Sequence, residues 1–220
     1  MTGEIALNRY IDHAVLKPDM TPADAERHIA SGIEFRVRTV CVRPCDIPLA
    51  ARLCAGTDTA VSCVLSFPHG CALSAGKADE ARRYVDLGAK EIDMVANIGY
   101  ERAGLWELFA DDVRGVVEAA HPAGVLVKVI LETSCLTVDQ AAAATEAAVS
   151  AQADFVKTST GFASAGATEE MVEAMVAAAK GRISVKASGG IRTREQALRF
   201  IEIGASRLGV GSTTTPVLCA

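Results

Sequence analysis

Three lysines stand inside apolar runs of this chain: Lys128 in "LVKVILE", Lys157 in "FVKTSTG" and Lys186 in "SVKASGG". A fourth run, "EIDMVANIG", carries Asp93. Lysines usually occupy solvated helix faces, the setting expected here for Lys77, Lys90 and Lys180. A lysine inside an apolar strand is instead buried, paired, or turned into a polar site. The chemistry that needs two close lysines is Schiff-base formation. At pH 7 only about one free lysine in 2,500 is a neutral amine. Burial and a neighbouring ammonium both disfavour the charged form, and a fall of ~3 units corresponds to ~4 kcal/mol. Asp93 then passes protons or holds the water that does. The bland alternative is a structural Asp93–Lys186 pair. Spacing alone does not decide which lysine is the nucleophile.

Two glycine-rich loops complete the set of candidates: "SGGIR" (Ser188–Arg192) and "GVGST" (Gly209–Thr213). Glycine lets backbone N–H groups approach an anion closely, and a helix N-terminus adds donors. The nearby basic residues are Arg192 and Arg207, so backbone amides near Gly189, Gly190, Gly211 and Ser212 are the expected phosphate ligands.

These residues need a scaffold that brings distant strand ends together. Strand-like runs are expected near 11–16, 37–42, 59–65, 91–95, 125–131, 154–158, 183–187 and 207–210. Helical patterns are expected near 22–31, 45–54, 75–87, 105–120, 138–151, 169–179 and 194–203. Thr21 before Pro22 reads as a helix cap, and Thr137/Gln140 and Thr193/Gln196 read as capping boxes. Gly88 and Gly204 mark helix ends in "DLGAKEID" and "EIGASRLG". Eight strands alternating with helices predict a single (β/α)8 TIM barrel over residues 1–220, an α/β fold, with active-site groups at the carboxyl ends of the strands. A doubly wound open sheet is the competing arrangement, but no G-x-G-x-x-G follows the first strand.

Composition narrows the partners. The net charge of −5 disfavours nucleic acid and acidic membrane surfaces, and no apolar stretch reaches the length of a membrane span. No signal segment is read at the N-terminus, so a cytoplasmic protein is expected. Seven cysteines, an odd count, favour free thiols, and four scattered histidines form no metal-ligand set.

The motifs "IDHAVLKPDMT", "TVCVRP", "EIDMVANIG", "VKVILET", "DFVKTSTGF", "VKASGGIRT" and "GASRLGVGS", in this order, resemble the deoxyribose-phosphate aldolases, a class I aldolase family. The resemblance implies that Lys157 forms the Schiff base and that Asp93 and Lys186 are proton donor and acceptor. It places Lys128 in the polar network around the sugar hydroxyls. It places Gly161, Gly189, Gly190, Gly211 and Ser212 around the phosphate. The implied reaction is reversible cleavage of 2-deoxyribose 5-phosphate to glyceraldehyde 3-phosphate and acetaldehyde, a step of deoxyribose catabolism. It needs no cofactor and no metal, and a homo-oligomer, dimer or tetramer, is expected. The chain departs from the family at Ala14, Arg43 and His69, and it ends at Ala220 without a tyrosine-bearing tail. His69 and Arg43, if near the site, would alter substrate preference. The rival readings are a phosphate-binding isomerase using Asp93 as base, an aldolase of another substrate, and a barrel that only binds sugar phosphates.

Overall fold

The computed structural model describes residues 5–219; Met1, at the start of the segment read as lacking a signal, and the terminal Ala220 lie outside them. Eight parallel strands close in chain order: β1 (Ile11–Val15), β2 (Thr39–Val42), β3 (Ala60–Leu65), β4 (Glu91–Val95), β5 (Leu126–Ile130), β6 (Phe155–Lys157), β7 (Ser184–Ser188) and β8 (Arg207–Gly211). β8 pairs with β1, with Asp12 opposite Gly209 and Ala14 opposite Gly211. Closure rules out the open sheet.

Alternation along each strand divides the residues between two environments. Val40, Val42, Ile92, Met94, Val127, Val129, Val156, Val185, Leu208 and Val210 belong to one buried apolar cluster between sheet and helices. The alternate positions carry Asp12, Thr39, Ser62, Glu91, Asp93, Lys128, Lys157, Lys186 and Arg207, which meet one another inside the barrel. The polar groups are therefore stacked in the middle of a sheet whose outer surface is apolar apart from His13 on β1.

The helices fall where the pattern places them: α1 (Pro22–Glu34), α2 (Ile47–Cys54), α3 (Ser74–Asp86), then α5 (Trp106–Ala120), α6 (Val138–Ser150), α7 (Glu169–Ala179) and α8 (Arg194–Ile203). Capping boxes start α1, α6 and α8: Thr21 pairs with Asp24, Thr137 with Gln140, and Thr193 with Gln196. Gly88 and Gly204 follow helix ends with positive φ. Two short helices escape the periodic pattern, α4 (Ile98–Ala103) and α9 (Thr215–Cys219). One to two turns are too short to show a 3.6-residue repeat. α4 was nonetheless marked by its cap, since Asn97 Oδ1 accepts the N–H groups of Gly99 and Tyr100.

One charge lies far from its expected setting. Lys77 is fully buried on α3, not solvated, and its ammonium donates to Asp112 (2.5 Å) and to the Val95 carbonyl (3.0 Å). It ties α3 to α5 and to the end of β4. The N-terminal turn of α3 lies against the barrel, so a position that looks polar in sequence is interior. Lys90 and Lys180 are exposed, as expected.

His13 lies on the outer face of β1 with no exposure, its Nε2 2.9 Å from the His28 carbonyl and its Nδ1 2.8 Å from Thr215 Oγ1. The carbonyl fixes Nε2 as donor, so Nδ1 accepts from the threonine. Burial pushes the pKa down to about 4. The unfolded chain binds this proton near pH 6.5 and the folded chain does not, so stability is full above 6.5 and falls as pH drops towards 4. We expect His13→Gln, which keeps a neutral donor and acceptor, to remove about 2 kcal/mol of the stability loss between pH 7 and pH 5. Urea unfolding of both proteins at the two pH values checks this; equal losses refute it.

Candidate active site

Register brings the sequence-separated candidates within reach of one another. Asp93 on β4 is opposite Lys128 on β5, Ile130 is opposite Lys157 on β6, and Lys157 is opposite Lys186 on β7. Asp93 is the hub. Its Oδ2 accepts from Lys157 at 2.9 Å and from Lys186 at 2.7 Å, and its Oδ1 accepts from Lys128 at 2.6 Å. Lys186 also reaches Asp12 at 2.5 Å, and Lys128 reaches Glu91 at 2.6 Å. Arg207 closes the ring with bonds to Asp12 (2.7 Å) and Glu91 (2.8 Å).

Four cations thus face three carboxylates in a closed interior. Burial penalises every charge there, but opposite charges decide which groups keep theirs. Burial pushes Lys128 and Lys186 down, yet the carboxylates outweigh it and hold both above the ordinary lysine range. Burial likewise raises Asp93, and the three lysines outweigh it and hold the carboxyl well below its usual range. Lys157 goes the other way. Burial lowers it, Asp93 only partly opposes the fall, and the Lys186 ammonium adds to it. Its one carboxylate partner is shared with two other ammonium groups. Loss of the Lys157 proton leaves three cations against three carboxylates, so the neutral amine is also the state that balances the cluster.

The Lys186 side chain reaches Asp12 and Asp93 because β8 offers no side chain in its way. A Cβ on Gly209 would lie 2.4 Å from Ser188 Oγ and 3.3 Å from Lys186 Cε. Gly209 is therefore required for a close approach.

A cavity of about 180 Å³ opens above the cluster, and its lining includes Lys157, Lys186, Gly161, Gly189, Gly211 and Ser212. Three expected site residues are absent from that lining: Asp93, Lys128 and Gly190. Asp93 lies beneath the two lysines and is wholly buried, so it meets the cavity only through their nitrogens. Lys128 is engaged deeper in the barrel by Asp93 and Glu91. Gly189 and Gly190 both have positive φ, and among the described residues no acceptor takes their amide protons. That leaves two amide donors without an acceptor just ahead of α8. The Ser212 amide, in contrast, donates to Ala14 O at 3.1 Å, so this residue offers its hydroxyl and not its N–H. Gly166, Gly161 and Gly189 pack backbone to backbone, which seats the loop after β6 against the loop after β7.

Sequence reading missed several contributors. Asp12, Glu91 and Arg207 complete the charge cluster, and Lys17 and Thr160 line the cavity. Asp12 and Glu91 had a signal, a charge within an otherwise apolar strand, but their partners lie up to 195 positions away. Part of the lining is apolar: Ala14, Leu16 and Cys41, which pack with Val64 and Phe67 outside it. Neither Arg43 nor His69 lines this cavity; both face a neighbouring cavity that shares Leu16 and Phe162 with it.

The DeoC/LacD family aldolases match residues 7–211. The deoxyribose-phosphate aldolase of Micrococcus luteus is 48% identical over 217 residues, covering 96% of this chain and 94% of that one. An aldolase structure designated QR15 superposes with a TM-score of 0.91 at 36% identity, over 98% of this chain and 95% of that one. A deoxyribose phosphate aldolase from Aeropyrum pernix, described as having a unique tetrameric structure, superposes at 0.88 and 30% identity, over 96% and 89%.

Because the Lys186 ammonium helps to lower the Lys157 pKa, Lys186→Met is expected to raise it. Imine formation with acetaldehyde, trapped over a pH series, should then need more alkaline conditions than in the wild type, and turnover should fall by at least ~10²-fold. An unshifted pH profile would show that Lys186 has no electrostatic hold on Lys157.

Proposed function

We infer, from the premise that this chain belongs to the DeoC/LacD family of aldolases, that it cleaves 2-deoxyribose 5-phosphate through a Schiff base on Lys157. The observation that carries the assignment is that Lys157, alone among the cations of the cluster, is held below its ordinary pKa while opening on the cavity.

In this reading the neutral amine of Lys157 attacks the C1 aldehyde of the open-chain sugar. The carbinolamine loses water, and the resulting iminium withdraws electrons from C2. Removal of the C3 hydroxyl proton breaks the C2–C3 bond, releases glyceraldehyde 3-phosphate and leaves an enamine on Lys157. Protonation at C2 and hydrolysis then free acetaldehyde. Lys186 is the proton carrier at the cavity wall, held protonated by Asp12 and Asp93. Asp93 stays ionised beneath both lysines, where it neutralises the iminium and returns protons by way of Lys186. The amides of Gly189 and Gly190, the Ser212 hydroxyl and the backbone near Gly161 and Gly211 receive the phosphate. Lys128 fixes the orientation of Asp93 and reaches the sugar hydroxyls only by way of it.

The reading extends to a cytoplasmic enzyme of deoxyribose catabolism, one barrel domain per chain, assembled as a homo-oligomer. Its support is that no described helix is long and apolar enough to cross a membrane and that a relative is described as tetrameric.

Acetaldehyde with borohydride is expected to add one ethyl group, on the peptide containing Lys157. A label on Lys186 or Lys128 would reassign the nucleophile. The absence of any label during turnover would favour the isomerase reading, which forms no reducible imine.

A further inference from the structure

Barrel closure places the loop after β1 beside the loops that hold the phosphate. Ala14 is opposite Gly211, and the Ser212 amide bonds to Ala14 O. Three residues beyond Ala14, Lys17 enters the lining of the catalytic cavity together with Ser188, Gly189, Ser212 and Thr213. Lys157 and Lys186 also line it, but both ammonium groups are engaged at its floor by Asp93. Lys17 is exposed, and its ammonium makes no hydrogen bond or ion pair to any described residue.

The backbone that carries Lys17 is held unusually firmly for an exposed turn. Arg43, on the loop after β2, directs one guanidinium nitrogen at three carbonyls of the turn: Lys17 (3.2 Å), Pro18 (3.4 Å) and Met20 (3.0 Å). Its Nε is anchored on Asp46 at 2.7 Å, in a pair that is largely buried. A planar fork of donors suits this task, and the single ammonium of a lysine would not reproduce it. Arg43 thus commits Nη1 to the turn and Nε to Asp46, and it does not line the catalytic cavity.

We propose that Lys17 is the side-chain cation that selects a phosphate monoester at this site, and that Arg43 is the positioning residue that holds Lys17 over the glycine loops. The proposal rests on the sugar-phosphate reading above and adds its specificity device. The amides of Gly189 and Gly190 shape the phosphate pocket, while Lys17 supplies the mobile charge that favours a dianion over a neutral hydroxyl. Because the lysine touches only the remote end of the substrate, its loss weakens binding of the ester more than it slows the bond-breaking step.

The test compares 2-deoxyribose 5-phosphate with unphosphorylated 2-deoxyribose. In Lys17→Ala the ratio of kcat/KM for the two substrates is expected to fall roughly tenfold, mostly through KM of the ester, as for loss of one charge-assisted hydrogen bond. The inhibition constant of inorganic phosphate should rise in parallel, and Lys17→Arg should restore most of both. Arg43→Gln should lower the same ratio, and its effect should nearly vanish when introduced into Lys17→Ala. An unchanged ratio in Lys17→Ala overturns the role of Lys17. Losses that multiply in the double variant overturn the positioning role of Arg43, since a merely structural defect acts on either background. If Arg43→Gln does not fold, Lys17→Ala and Lys17→Arg still decide the role of Lys17. Wild-type enzyme that fails to label Lys157 defeats the catalytic reading instead; wild-type enzyme that labels, with a ratio insensitive to Lys17, defeats only this one.

Discussion

Asp93 holds three ammonium groups within hydrogen-bonding distance inside a space that excludes water. Buried ions of this kind are expensive, and removing one partner leaves the others uncompensated. The remaining charges of the interior follow from that hub. Asp12 and Glu91 offset the excess of lysines, Arg207 links those two carboxylates, and Thr39 donates to Asp12 at 2.8 Å. What stays unbalanced is a single proton, and it belongs to the lysine with the fewest carboxylate partners. The lowered pKa of Lys157 is thus a property of the whole cluster, set by how many opposite charges each neighbour commands.

The barrel makes such a cluster tolerable because its other face is apolar save for the hydrogen-bonded His13. Val, Ile and Leu on the outside of the strands pack against the helices, and that contact stabilises the sheet independently of what fills its centre. The interior is then free to hold charges that no small core would accept. Above them the cavity has two unlike walls. Glycine-rich backbone from β7 and β8 offers amide donors and a hydroxyl to an anion, whereas Ala14, Leu16 and Cys41 present hydrocarbon and a thiol. Burial, and next the negative Asp93, raise the pKa of the Cys41 thiol, which keeps it protonated beside the lysines.

The loops above the strands carry local costs that the fold sustains. Glu132, just after β5, has φ 51°, a conformation side chains rarely adopt. Its carboxylate accepts both the N–H and the hydroxyl of Thr160, a cavity residue on the loop after Lys157. The strained residue thereby fixes the segment that continues from Lys157. The neighbouring cavity is lined in part by Phe67 and Phe162, in edge-on contact with ring centres 5.2 Å apart. His69 belongs to that second space, which is why its departure from the family pattern leaves the lysine cluster untouched.

By itself the sequence determined the alternation of strand and helix, the capped helix starts, and the four charged residues that could not belong to an ordinary core. Those are local signals: a period of two, a period of 3.6, a Thr with Gln three places on, a lysine between valines. The family resemblance implied Lys157 rather than Lys186 as the Schiff-base lysine, where spacing left both open. Only the tertiary structure decided the charge states, because each depends on partners from other strands, such as Asp12 for Lys186 and Glu91 for Lys128. It alone buried Lys77 against Asp112, put Asp93 below the cavity rather than in its wall, spent the Ser212 amide on β1, and brought Lys17 to the phosphate loops. The physical reason is common to all of these. Barrel closure joins the first strand to the last, and electrostatics in a low-dielectric interior act through distance in space, to which sequence separation is no guide.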